Sequence, residues 1–405
     1  MTLLVIGTGG RAYREYLLAS IGARYEVHLL AGEEPTWERE HIAGWTVLAA
    51  PGETVDATEM CAAALALREP VRGVLSWDEA RVLQAARVAQ ALGLPGGDPD
   101  VAMRCRDKHL TRRALHAAGV PQPASVLVRD VDEALAVADT IGYPVVLKPR
   151  ALAASLGVVL VRTPHELVDR FPFARDTTVP GAWTYETVLV EEYATGAEIS
   201  VDSAVHGGQV SPLFVARKDI GYPPYFEEVG HVVDAADPLR TDPELLRIVA
   251  AAHAALGITD AMTHTEFRLT PTGPKVIEVN GRLGGDLIPY LGLRATGIDP
   301  GLAAAAVACG LPPDVTADRA LVGAVRFRYP EKDDTTIDAI DIDTAALPAA
   351  VDRVTALAGP GDVVSPPPVG TLWGRVALAT AVAGTVAECA AALDAADAAL
   401  TVRER

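Results

Sequence analysis

Residues 276–286 read VIEVNGRLGGD, an apolar strand that ends in a carboxylate, an amide, a guanidinium, two glycines and a second carboxylate. Side chains two apart on a pleated strand share a face, so Glu278, Asn280 and Arg282 point the same way. Standing alone, the stretch would read equally as a solvated edge strand running into a Gly-Gly turn. Just upstream, however, MTHTEFRLT is joined by PTG to PKVIEVN, which makes residues 262–280 a β-hairpin. Glu266 and Glu278 then lie on opposing strands, and two carboxylates with the Asn280 amide converge on one point. Hard oxygen donors of this kind take Mg²⁺ (or Mn²⁺) in partial coordination, completed by phosphate oxygens and water. Carboxylates set inside apolar strands without such a counter-charge are costly to bury.

A metal held this way implies a nucleotide nearby, and candidate cations for its phosphates precede the hairpin. Lys148 ends the strand YPVVLK, just before the small-residue loop AASLG at 153–157, whose backbone N–H groups are suited to closing over phosphates. Lys108, in the locally basic helical stretch AMRCRDKHLTRRALHAAGV, is a second candidate. Either lysine alone would serve as an ordinary surface charge.

The rest of the 405-residue chain sets the class. Its 35 basic and 53 acidic residues give a formal net charge of −18, which argues against broad binding to nucleic acid or anionic membranes. No stretch approaches the roughly 18 apolar residues of a membrane span. Cys61, Cys105, Cys309 and Cys389 lie far apart, with no CxxC pair and no zinc spacing, so neither disulfides nor structural zinc are expected. The start, MTLLVIGTGG, lacks the basic and long apolar regions of a signal peptide, and a cytoplasmic protein is expected.

Strand, glycine loop and helix alternate from TLLVIGTGG to VRGVLSWDEA, which predicts a doubly wound parallel-sheet α/β domain over 1–100. Gly7-Thr8-Gly9-Gly10 lacks the GxGxxG spacing and reads first as a tight turn. After LGLPGGDPD the chain is expected to form a small α+β unit over 101–190 with a mobile hairpin, then an antiparallel unit over 191–320 with a turn at His206-Gly207-Gly208. The last unit, 321–405, is expected to be α+β, with EKDDTTIDAIDID at 331–343 as a connection.

In order, DKHLTRRAL, GYPVVLKPRALAASLG, VLVEEYATGAEISVD and HTEFRLTPTGPKVIEVNGRLGGD resemble the ATP-grasp superfamily of carboxylate–amine ligases. Within it the chain is most similar to the L-amino acid ligase (dipeptide synthetase) group, that of the alanine–anticapsin ligase. The resemblance spans about residues 70–310 and implies an α/β and α+β multidomain ATP-grasp fold using ATP and magnesium. It implies phosphate contacts from Lys108 and Lys148, a covering loop with Ser155 and Gly157, and an adenine-reading hinge at Glu191, Glu192, Tyr193 and Ala194. Glu198 would bind the ribose, and Glu266, Glu278 and Asn280 the metal. Arg282 and Lys148 would be catalytic, Arg282 stabilising an acyl phosphate and a tetrahedral state. Glu228 and His231, a Glu-x-x-His marker of the group, would bind substrate with Arg282, Gly284 and Gly285.

Gly281 stands where a proline is common in relatives, which loosens the turn and leaves the ligands in place. Lys218 falls where such enzymes often keep a charge. His264 is placed on the strand face opposite Glu266, with a structural role, and helix capping is the simpler account of Trp77-Asp78-Glu79. The implied partners are a small carboxylate and an amine, within a homodimer. Two alternatives stay open: an amide ligase acting on a non-amino-acid carboxylate (of cofactor, purine or carnosine type), and a nucleotide-binding regulatory protein.

Overall fold

Thr2–Ile6, Glu26–Ala31, Gly44–Val47 and Val71–Leu75 pair in parallel, with Thr2–Ile6 between Glu26–Ala31 and Val71–Leu75. They belong to a computed structural model that describes residues 2–48, 56–179 and 185–405. Every side chain of Thr2–Ile6 is buried, as a parallel strand covered on both faces requires. Leu3 and Val5 join a core with Leu17, Leu18 and Ile21, while Leu4 and Ile6 join another with Met60, Ala85 and Val88. The expected α/β start is present. Gly7 and Gly9, at φ +69° and +73°, form a turn that only glycine adopts without strain, and the Trp77 indole donates to the Thr8 carbonyl at 2.8 Å.

A four-stranded antiparallel sheet follows, in the order Ser125–Val128, Val188–Glu192, Val145–Pro149, Val159–Val161. Helices Val131–Ile141 and Pro164–Asp176 share its core. The basic stretch before it is two helices, Pro99–Arg106 and Lys108–Ala117, where the sequence suggested one. Asp107 breaks the run because its carboxylate accepts from the backbone N–H groups of His109 and Leu110. The same carboxylate pairs with Arg150 at 2.6 Å, fixing the helix start to the segment after Lys148. Asp107→Ala loses a cap worth about 1 kcal/mol and the ion pair. A lower melting temperature is expected, with Asp107→Asn recovering part of it; equal melting of all three proteins would contradict the capping role.

The largest sheet has eight strands, all antiparallel to their neighbours: Gly273–Asn280, Ala261–Thr270, Ala197–His206, Gln209–Gly221, Glu227–Asp234, Val322–Arg328, Ala377–Ala383 and Val351–Ala356. It takes strands from both sides of position 320, where the sequence suggested a boundary. The 331–343 stretch is not a plain connection: Thr335–Ile342 is a strand paired with the C-terminal strand Leu400–Glu404. Its acidity misled because Asp338 and Asp341 are exposed partners of Arg405 and Arg403, while Ile337 is buried.

Ile199, Val201, Val215, Phe267, Val276 and Val279 pack one face of the large sheet against Leu245, Ile248, Val249 and Leu256 of helix Pro243–Leu256. Glu266 is opposite Glu278 but Phe267 is opposite Val276, so Ile277 is an extra, bulged residue. The bulge lets Val276 and Val279 both reach the core and leaves Glu278 and Asn280 on the other face.

Candidate active site

That other face carries the polar half of each alternating strand: Glu198, Ser200 and Asp202 on one, His264, Glu266 and Arg268 on the next. In the pairing register Glu266 stands opposite both Ser200 and Glu278, and Lys218 opposite both Glu198 and His231. Lys218 is buried among carboxylates, with Nζ 2.7 Å from Glu228, 2.7 Å from Glu266 and 3.7 Å from Glu198. Burial alone would lower its pKa, but Glu228 and Glu266 raise it well above the ordinary lysine value. Lys218 thus belongs to the site. His264 also corrects its expected place: residues two apart share a face, and its Nε2 lies 3.2 Å from Glu266 while Nδ1 meets Asp202 at 2.9 Å. Against the cost of burial, Asp202 and Glu266 raise the imidazole to about 9.

The facing wall comes from the four-stranded sheet. Lys148 and Glu191 pair at 2.5 Å, and Arg112 clasps the same carboxylate through Nε at 2.7 Å and Nη2 at 2.9 Å. Arg112 also donates to the carbonyls of Val276 and Ile277, tying this wall to the hairpin strand. Burial pushes the Glu191 carboxyl up, but Arg112 and Lys148 outweigh it and hold it down to about 2. Lys108 donates to Glu278 at 2.9 Å and to the Leu152 carbonyl of the loop before Ser155. Ala154 and Ser155 have φ near +55°, a strained conformation for residues with a Cβ.

Between the walls lies a cleft of about 820 Å³. Lys108, Lys148, Ser155, Glu191, Glu192, Tyr193, Ala194, Glu198, Glu228, Glu266, Glu278, Asn280 and Arg282 all line it. Pro123, Val146, Tyr193, Phe226 and Ile277 give it an apolar portion. Glu192 faces Lys275 at 2.6 Å. Gly157, at φ +73°, packs on Pro149 so tightly that a Cβ would fall 2.6 Å from it. Gly284 is a packing position: its N–H donates to Asp202 at 3.0 Å, and a Cβ would meet His264 at 2.8 Å.

A neighbouring cavity of about 500 Å³ shares Glu228, Glu266 and Arg282 with the cleft and adds Gly285, Asp286, His264 and Arg375. His231, fully buried, lies behind it, 3.2 Å from Glu228 and 3.6 Å from Asp286. Arg375 grips Asp286 with two 2.7 Å bonds and sits 3.7 Å over the Phe327 ring. Sequence reading gave Arg375, Arg112 and Asp286 no role, since nothing in LWGR, LTRR or GGD marks which charge will be buried. Glu79, read mainly as part of a helix cap, instead pairs with Arg282 at 2.5 Å and Arg106 at 3.8 Å.

Burial raises the Glu227 carboxyl to about 7, although the Tyr329 hydroxyl donates to it at 2.7 Å. The folded chain then holds this proton more tightly than the unfolded chain, whose carboxyl titrates near 4.5. Stability from the protonated form is complete below the unfolded value and is lost as pH rises toward 7. Glu227→Gln is expected to flatten that part of a melting-temperature profile taken between about pH 5 and 8. An unchanged slope would contradict the burial argument.

Residues 141–289 match the family model for the ATP-grasp domain. Over this stretch the chain is similar to ATP-grasp domains. The chain is 31% identical to human carnosine synthase 1 over 58% of its own length and 30% of that protein. It is 26% identical to the alanine–anticapsin ligase of Bacillus subtilis over 71% of its length and 68% of that protein. The chain spans about half the length of the curated relatives it matches. Its fold matches the crystal structure of an L-amino acid ligase from Bacillus licheniformis with a TM-score of 0.82, covering 100% of this chain and 98% of that one at 22% identity. Among the described residues no helix is long and apolar enough to cross a membrane.

Proposed function

We propose that the chain is an ATP-dependent ligase that joins a carboxylate, that of an L-amino acid, to an amine through an acyl phosphate, releasing ADP and phosphate. The observation that carries this reading is the position of Arg282, which borders both the nucleotide-sized cleft and the acid pocket. Similarity to an alanine–anticapsin ligase and a carnosine synthase supports it.

ATP would lie with its adenine against Val146, Ile277 and the 191–194 backbone, its ribose at Glu198 and its phosphates between Lys108 and Lys148, under the loop at Ser155. The residues present fit a magnesium ion. Glu266 and Glu278 face each other across the hairpin, each with one oxygen engaged by lysine and, among the described residues, the other outside any hydrogen bond; Asn280 borders the same cleft. Glu266, Glu278 and Asn280 would hold it, and it would supply charge neutralisation at the phosphates. Lys108 and Lys218, now on these carboxylates, hold the acids in place.

The substrate carboxylate attacks the γ-phosphorus, forming an O–P bond as the bond to ADP breaks. The amine nitrogen then forms the C–N bond, the C–O bond to phosphate breaks, phosphate leaves and the nitrogen gives up a proton. Lys148 offsets charge on the transferring group and Arg282 charge on the acyl oxygen, both preorganised by Glu191 and Glu79. The acid pocket, with Glu228, Asp286 and His231, suits the ammonium of the acyl donor. ADP release across a matrix of paired amino acids, with mass spectrometry of active wells, tests the reading. A product at the sum of two amino acids less water is expected; release independent of any carboxylate would overturn it.

A further inference from the structure

A third cavity, partly open to solvent, also ends at Arg282 and is lined by Ser76, Glu79 and Arg106 as well as an apolar wall. The wall comes from three helices, Val82–Ala91, Pro99–Arg106 and Pro300–Ala308, each of which presents alanine: Ala85 and Ala89, Ala102, and Ala304 and Ala308. Packed helices normally close such gaps with larger side chains. Here the short ones leave room beside a charged cluster. Arg106 keeps only 11% side-chain exposure, and among the described residues its one ion pair is with Glu79, at 3.8 Å. A nearly buried guanidinium with most of its donors uncommitted, bordering a cavity, is a receptor for a carboxylate.

Three cavities therefore meet at Arg282: one fits the nucleotide, one is acidic, and one is apolar with Arg106 at its edge. An acceptor amino acid needs the third kind, because its amine must reach the acyl carbon at Arg282 while its own carboxylate and side chain are held away from the phosphates. We propose that this cavity binds the amine substrate, an α-amino acid with an apolar side chain, its carboxylate on Arg106 and its side chain among Ala85, Ala89, Ala102 and Ala304. The role of acceptor rests on the ligase reading above; the subsite itself rests on the cavity and Arg106.

The test uses the full chain, with and without Mg-ADP, and L-phenylalanine and glycine as probes in ligand-observed NMR. Phenylalanine is expected to bind more tightly than glycine. Ala102→Phe and Ala304→Leu, which fill the cavity from different helices, are each expected to weaken phenylalanine about tenfold or more relative to glycine. Arg106→Gln is expected to weaken both probes. Absence of phenylalanine binding to the unmodified chain, or equal affinity in both filled variants with the fold intact by circular dichroism, would overturn the proposal. Turnover is read separately. Phenylalanine displaced by cavity filling, with no ADP release for any acid–amine pair, would support the subsite and overturn the ligase reading.

Discussion

Arg282→Ala is expected to lower amide formation by about 10²- to 10³-fold while leaving the nucleotide site able to bind ADP. The guanidinium is buried, anchored to Glu79 at 2.5 Å and to the Leu283 carbonyl at 2.8 Å. Burial would lower its pKa, but Glu79 and Glu278 keep it charged. Its place is fixed before substrate arrives, which is what makes such a donor effective at developing charge. Arg282→Lys keeps the charge and loses the planar fork, so it should recover only part of the rate. Glu278→Gln, which removes one of the two facing carboxylates, is expected to fail at the earlier step and to lose phosphate release as well. Initial rates of ADP release and product formation, with circular dichroism as a check on folding, separate these outcomes. Turnover near that of the unmodified chain in either variant would mean the site is misassigned.

Glu191→Gln is expected to be the most destabilising single change at the site. It leaves Arg112 and Lys148, both almost fully buried, without their shared counter-charge. Breaking a buried pair from one side typically costs about 3–5 kcal/mol, because the orphaned charge remains. The effect depends on pH with a definite sign. The folded carboxyl is held near 2, below its ordinary 4.5, so the stability it contributes is complete above 4.5 and disappears as pH falls toward 2. Urea unfolding of the two proteins near neutral pH should differ by the full amount, and the difference should shrink as pH falls through that range. No difference at neutral pH would show that the triad contributes nothing to folding, and the variant would then report on lysine positioning alone.

The hairpin was the most legible part of the molecule. Two acids at matching heights on antiparallel strands follow from the spacing around PTG, and the register does place Glu266 opposite Glu278. Lys148, Glu191 and Ser155 reach the same cleft because strand ends and turns fix where a chain must go. What escaped the sequence was mostly partnership between distant segments. Arg112 meets Glu191 across 79 positions, Arg282 meets Glu79 across 203, and Arg375 meets Asp286 across 89. Each looks like a surface charge until the fold buries it, and burial is a property of the whole packing. His264 is different, since the period of a strand already places it beside Glu266. The acidic 331–343 stretch shows the reverse error: polar composition concealed a strand whose apolar residues, with Ile337 buried, needed only one covered face.

The central claim is that a substrate carboxylate is phosphorylated before the amine attacks. The direct measurement supplies that carboxylate labelled with heavy oxygen, together with Mg-ATP and an accepted amine, and determines by mass spectrometry where the label goes. Transfer of one labelled oxygen into the released phosphate is the predicted result, because the C–O bond breaks after the O–P bond has formed. Labelled product with wholly unlabelled phosphate would contradict an acyl phosphate and, with it, the roles assigned to Lys148 and Arg282.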